Sequence, residues 1–261
     1  MQEALRTSGL EPREARLLLA AATGFSEASV FAFPEKNLPP AAEKLFLEFA
    51  ARRRGGEPIA YILGRKEFYG LELAVNPAVL IPRPETELLV ELALQRTFST
   101  ILDLGTGSGA VALALKRERP RARVVAVEAS AAALAVARRN AVKHGLDIEF
   151  PHGRWFEGLG GDRFEVIVSN PPYVAAGDPH LADLRFEPGG ALVSGADGLD
   201  AIREISRRAP AHLAAGGWLL LEHGTGQHAA VRGLLALAGL AEVRSWPDLA
   251  GIARVSGGKL E

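Results

Sequence analysis

The sequence contains no cysteine. Disulfides, thiolate nucleophiles and cysteine-bound zinc or iron–sulfur centres are thereby excluded, and the chain suits a reducing compartment. It also lacks an excess of either charge: 30 basic against 31 acidic side chains leave a net charge of -1. Proteins whose affinity comes from neutralising phosphates usually carry a basic surplus, so nucleic acid is a disfavoured partner. No apolar stretch reaches the roughly 18 residues of a membrane span, and no basic start leads into an apolar run ending in small residues. A soluble cytoplasmic protein is expected, without a membrane partner. The six histidines show no metal-ligand spacing, with His223 and His228 five apart and off a common helical face, so no metal is expected. Apolar residues, by contrast, are plentiful: 48% of 261 positions are hydrophobic, enough for one large domain or a small one joined to a medium one.

Residues 1–57 read as a small helical domain. "EPREARLLLAAATG" opens with acid and proline and stops at Gly24, and "PPAAEKLFLEFAARRRGG" does the same before Gly55 and Gly56. Arg52, Arg53 and Arg54 fall at a helix end, where cations suit the negative pole of the dipole. Residues 58–80 hold short apolar and aromatic segments broken at Gly64 and Gly70, the pattern of a linking β-hairpin. In residues 81–261 the runs "TILDLG", "ARVVAVE", "DIEF", "FEVIVSN", "GWLLLE", "AEVRSW" and "IARVSG" mostly alternate with helical stretches. That alternation predicts an α/β fold: a doubly wound, mainly parallel, seven-stranded sheet covered on both faces. The last two runs are too close for a crossover helix and should pair antiparallel.

"LDLGTGSGA" carries the first chemistry. A strand runs into Gly105, Thr106, Gly107, Ser108 and Gly109, and a helix starts at once, which leaves backbone room for a ligand beside the helix N-terminus. Glu128 stands at the next strand tip, where an acid can grip the two hydroxyls of a ribose. Gly105, Gly107 and Ala110 also satisfy the dinucleotide pattern, so the glycines alone leave open an NAD-dependent oxidoreductase. Asp103 shifts the balance. A carboxylate inside an apolar strand needs hydrogen bonds or a cation; the NAD pyrophosphate is anionic, whereas S-adenosylmethionine carries a sulfonium and an ammonium.

"SNPPYV" follows "FEVIV" without a spacer, and its prolines end the strand and stiffen the loop beyond it. In a doubly wound sheet that tip shares the ligand crevice with the glycine loop. Methyl transfer to a planar nitrogen fits such a loop. If Asn170 accepts one N–H through its side-chain oxygen and the Pro171 carbonyl accepts the other, both favour the positive charge that builds on nitrogen. Tyr173 would offer a flat face to the planar group. No general base is needed, because the methylated nitrogen becomes acidic and loses its proton afterwards.

From about Ile59 to Gly257 the chain resembles the HemK/PrmC protein-(glutamine-N5) methyltransferases. The resemblance lies in "GRKEFYGLELAVNPAVLIPRPETELLVE", "DLGTGSG", "VSNPPYV", "EPGGALVSGADGLD", "LLLEHGTGQ" and "DLAGIARV". It implies that Gly105 to Gly109 and Glu128 bind S-adenosylmethionine, with Trp155 along its adenine. It implies that Asn170, Pro171, Pro172 and Tyr173 receive the glutamine of a Gly-Gly-Gln tripeptide in class 1 peptide chain release factors. The products would be N5-methylglutamine and S-adenosylhomocysteine, and the helical domain would serve substrate recognition. Arg154 stands where relatives often carry an acid, and Gly189 where a larger residue is common. NPPY is shared with methyltransferases of exocyclic base amines in DNA or RNA, which remain the alternative. A monomer is expected.

Three further segments stand out. "IPRPETELLVELAL" is well capped by Pro84, Glu85 and Glu87, with Arg83 and Glu85 as supports. The long polar stretch from Ala175 reads as a loop without helix that clamps the substrate peptide. Glu222, ending a strand, is a second acid near the crevice or a helix cap.

Overall fold

The computed structural model describes residues 1–261, in two compact units, Met1–Arg65 and Lys66–Glu261. The first contains helices α1 (Gln2–Thr7), α2 (Pro12–Thr23), α3 (Glu27–Ala32), α4 (Pro40–Arg54) and α5 (Ile59–Leu63). Pro12 opens α2, where its missing N–H costs nothing, and Gly24 ends it in the left-handed conformation at φ 74°. Leu18 and Leu19 of α2 pack with Val30, Phe46 and Ile62 in the buried core of this unit. The arginine run is spent internally. Arg52 forks onto Glu57 and Arg53 onto Glu14, and Arg54 donates to the Ser8 carbonyl.

The second unit opens with the hairpin β1 (Arg65–Phe68) and β2 (Leu71–Ala74), turned at Tyr69 and Gly70, both with positive φ. Then follow α6 (Glu87–Leu94), β3 (Thr100–Leu104), α7 (Ala110–Glu118), β4 (Arg123–Val127), α8 (Ala131–His144), β5 (Phe164–Ser169), α9 (Asp200–Arg208), β6 (Leu213–Glu222), α10 (His228–Leu237), β7 (Ala241–Pro247) and β8 (Ala253–Lys259). The sheet order is β4-β3-β5-β6-β8-β7. Its first three pairings are parallel, whereas β8 is antiparallel to both neighbours. Alternate residues of each strand serve two cores, as the strand period requires. Val124, Val166 and Leu220 lie in one core with Leu89 and Leu113; Val125, Ile167 and Leu221 lie in the other with Ile202.

Two details differ from the pattern read in the sequence: Ile59–Leu63, expected within the linking hairpin, forms the helix α5, closed by Gly64 in the left-handed conformation, and the expected seventh strand is not a regular one. The segment expected as a seventh strand, Asp147 to Phe150, makes a single parallel bridge to β4, Val125 with Glu149, and a second bridge, Glu128 with His152, follows just beyond the ends of both. Pro151 lies between those bridges and has no N–H to donate, so a regular ladder cannot run through it. The final strand enters between β6 and β7, a placement that the sequence pattern left open. Gly257 makes this possible: a Cβ there would lie 2.6 Å from the Leu219 carbonyl oxygen. The edge falls to β7, whose residues are part-exposed along its length.

Candidate active site

The sheet's winding reverses at β3, which has β4 on one side and β5 on the other, and the tips of these three strands face one cavity of about 790 Å³. Asp103, the loop Gly105 to Ser108, Glu128, Trp155, Asn170, Pro171 and Pro172 all line it. Gly109 and Tyr173 do not.

The three loop glycines have positive φ for different reasons. A Cβ on Gly105 would stand 3.2 Å from the Trp155 ring; one on Gly109 would stand 3.0 Å from Leu113 and 3.3 Å from Ala137, where α7 meets α8. Gly109 therefore serves helix packing instead of lining the cavity. At Gly107 a Cβ would meet nothing, so only the φ of 56° demands glycine. The loop is pinned from both sides. Gly107 N donates to Glu128 Oε2 at 2.9 Å, and Ser130 N donates to Oε1 at 2.8 Å, which fixes that carboxylate at the cavity edge. From below, the buried Asn140 donates to the Ser108 carbonyl at 2.9 Å and exchanges two bonds with Ala74 of β2. The sequence reading missed Asn140; a polar residue on the apolar stripe of α8 was the available signal.

Asp103 is 2% exposed and accepts the Thr106 hydroxyl at 2.6 Å. Burial pushes its carboxyl up to about 7, against the pull of the Thr106 hydroxyl and the Ala112 N–H. Trp155 sits at φ 52°, with its indole N–H on Glu204 Oε2 at 3.2 Å. Arg154 donates to that same oxygen at 2.6 Å. The residue that departs from the family pattern thus holds the acceptor of the tryptophan. Glu204, on α9, was not singled out from the sequence.

At the β5 tip, the buried Ser169 hydroxyl bonds the Leu104 carbonyl at 2.7 Å and ties the two strand ends together. Asn170 Nδ2 donates to Thr86 Oγ1 at 3.1 Å. No bond within the chain uses Asn170 Oδ1 or the Pro171 carbonyl. Tyr173 is placed differently from expectation. Its ring lies against Gly224, its carbonyl accepts Gln227 Nε2 at 3.0 Å and its hydroxyl donates to Glu222 Oε1 at 3.3 Å. It buttresses the loop from outside the cavity wall. Glu222 is 1% exposed and caps no helix; burial pushes its carboxyl up to about 7, opposed by the hydroxyls of Thr86 and Tyr173. His223 is turned to Ser256 Oγ at 2.8 Å, and burial lowers its pKa.

The long stretch after Ala175 is built into the fold. It contains short 3-10 turns, Pro179–Ala182 and Gly189–Ala191, and a bridge between Val174 and Val193. Pro188, Gly190 and Ser194 reach the cavity. Arg83 pairs with Glu187 of this stretch, which also accepts Ile81 N at 3.0 Å. Arg83 is thus the support that its motif suggested.

Solved structures with this architecture include a methyltransferase from Pyrococcus furiosus, with TM-score 0.58 and 20% identity over 80% of this chain and 96% of that one. A 16S rRNA methyltransferase from T. thermophilus gives TM-score 0.57 and 23% identity over 76% of this chain and 50% of that one. The family model described as methyltransferase small domain matches residues 84–184. Fold and cavity together define an S-adenosylmethionine-dependent methyltransferase. The PrmC N-terminal domain model matches residues 1–64. Two proteins described as release factor glutamine methyltransferase are similar over nearly the whole length. That of Pseudomonas aeruginosa is 51% identical across 94% of this chain and 91% of its own; that of Burkholderia pseudomallei is 53% identical across 99% and 95%. The chain belongs to the release factor glutamine methyltransferase family.

Proposed function

We propose that this protein methylates the side-chain amide nitrogen of the glutamine in the Gly-Gly-Gln motif of class 1 peptide chain release factors, in the cytoplasm, with S-adenosylmethionine as donor. The observation that carries the reading is the pair of free acceptors, Asn170 Oδ1 and the Pro171 carbonyl, on the cavity that also holds the glycine loop and Glu128. Relatives named for that activity, about as long as this chain and half identical to it, supply the substrate class.

The cavity fits the donor chemically. Glycine at 105 lets the Trp155 ring pack against the loop on the adenine side, and Glu128 presents a carboxylate already fixed for ribose hydroxyls. Asp103 supplies negative charge for a cationic ligand when ionised, a form that burial disfavours below about pH 7. S-adenosylmethionine brings an electrophilic methyl on a sulfonium. Asn170 and Pro171 accept the two amide hydrogens of glutamine and stabilise the charge that grows on nitrogen as the nitrogen–carbon bond forms and the carbon–sulfur bond breaks. Pro171 and Pro172 keep these acceptors rigid, so that orientation is set before substrate arrives. The proton leaves the methylated nitrogen afterwards, without a dedicated base. Recognition of the release factor is assigned to residues 1–57 and to the stretch after Ala175. The catalytic unit is a monomer in this reading.

The test is incubation with radiolabelled methyl donor and, in turn, a release factor, its Gln→Ala variant, DNA and RNA. Label is expected only on the factor that retains glutamine; label on nucleic acid alone would overturn the assignment.

A further inference from the structure

The Thr86 hydroxyl has to satisfy two neighbours at once. Its oxygen receives Asn170 Nδ2 at 3.1 Å, so its own proton must go to some other acceptor. The residue is 4% exposed, although it lines the cavity beside Asn170. The hydroxyl faces the Glu222 carboxylate, and Glu222 Oε2 is buried without a close partner of its own. A buried carboxylate oxygen left in that state is costly unless a donor turns to it. The other oxygen takes the Tyr173 hydroxyl at 3.3 Å, so one acid reaches both the residue behind Asn170 and the end of its loop.

We propose that Thr86 and Glu222 are positioning residues that decide which way the Asn170 amide faces: Thr86 gives its proton to Glu222 and receives that of Asn170 Nδ2, which turns Oδ1 into the cavity. The proposal rests on the reading of Asn170 as acceptor of the substrate amide. A flipped Asn170 would set its oxygen against the Thr86 oxygen and would present NH2 to the NH2 of glutamine, a donor facing a donor. The relay removes that alternative. It also makes the site a pair of acceptors that suits a carboxamide and repels a carboxylate, so glutamate in place of glutamine is rejected. Glu222 never touches the substrate.

Two substitutions separate this role from simple packing. Thr86→Val keeps the shape and loses the hydroxyl, whereas Thr86→Ser keeps the hydroxyl and loses a methyl. The first readout is proton exchange of the Asn170 side-chain amide by NMR in the free protein. Exchange is expected to be slow in the parent and in Thr86→Ser, and at least about tenfold faster in Thr86→Val, the scale of one buried hydrogen bond. The second is turnover on a saturating release factor, which Thr86→Val should lower by about tenfold or more while donor affinity stays within about twofold; Thr86→Ser should restore it. Equal exchange in all three proteins, or equal loss of turnover in both variants, overturns the relay. If the parent labels no release factor, the functional reading fails, and the exchange measurement still decides the orientation of Asn170.

Discussion

Asn170 contributes an oxygen that no other part of the chain uses, and its value depends on the nitrogen being held elsewhere. Asn170→Ala should therefore lower turnover by at least about tenfold and leave donor affinity within about twofold, checked by single-turnover kinetics and calorimetry. The neighbouring glycines give a second residue-scale contrast. Gly105→Ala places a Cβ 3.2 Å from Trp155 at a φ of 71°, whereas Gly107→Ala meets open space at a φ of 56°. Both substitutions strain the backbone by about 1–2 kcal/mol, but only the first also displaces the tryptophan. Donor affinity should fall by at least about tenfold in Gly105→Ala and less in Gly107→Ala when titrated by calorimetry. Identities of this kind were readable directly, because glycine, proline and a strand-end acid each impose a local geometry. Tyr173 shows where that stopped. Its place after two prolines suggested a wall for the substrate, but Glu222 and Gly224 hold it outside the cavity.

Among elements, the helices were the most legible, since Pro12 and Gly24 mark their ends by backbone chemistry alone. The antiparallel end of the sheet was partly so. A short connection required β7 and β8 to pair, yet nothing in it said which of them would adjoin β6. Glycine at 257 and 258 decided that, because the inner position allows no side chain against Leu219 and Leu240. Gly257→Ala should cost about 2 kcal/mol or more of unfolding free energy by overpacking, measured by urea denaturation with an unchanged slope. Asn140→Ala should cost a similar amount, about 2 kcal/mol, because it leaves the Ala74 N–H and the Ser108 carbonyl without their partner. A stability loss near zero in either variant would contradict these structural assignments.

For the whole molecule, two buried acids tie stability to pH. Asp103 faces the Thr106 hydroxyl, the Ala112 N–H and the charge of Glu128; Glu222 faces Thr86, Tyr173, Arg254 and Glu85. Burial raises both from ordinary carboxylate values to about 7, so the folded chain binds more protons than the unfolded one across that interval. Their contribution to stability is complete below their unfolded values near 4 and is lost as pH rises through about 7. Glu222→Gln should accordingly melt at a higher temperature than the parent at pH 8, with little difference at pH 5, in calorimetric scans; it should also turn over more slowly if it orients Thr86. Donor binding should tighten as pH rises through about 7, because a cationic ligand favours ionised Asp103.

The sequence by itself determined the class of fold, the glycine loop and the asparagine–proline loop at the strand tips, since each is encoded in a contiguous strand and turn. Tertiary structure alone decided how these parts are held. Thr86 reaches Asn170 across 84 positions of chain, and Glu204 and Asn140 reach Trp155 and the glycine loop from helices of their own. Those pairings depend on sheet order and on which helix covers which face. Local propensity carries no record of either, because a hydrogen bond between distant residues exists only once the strands between them have found their places.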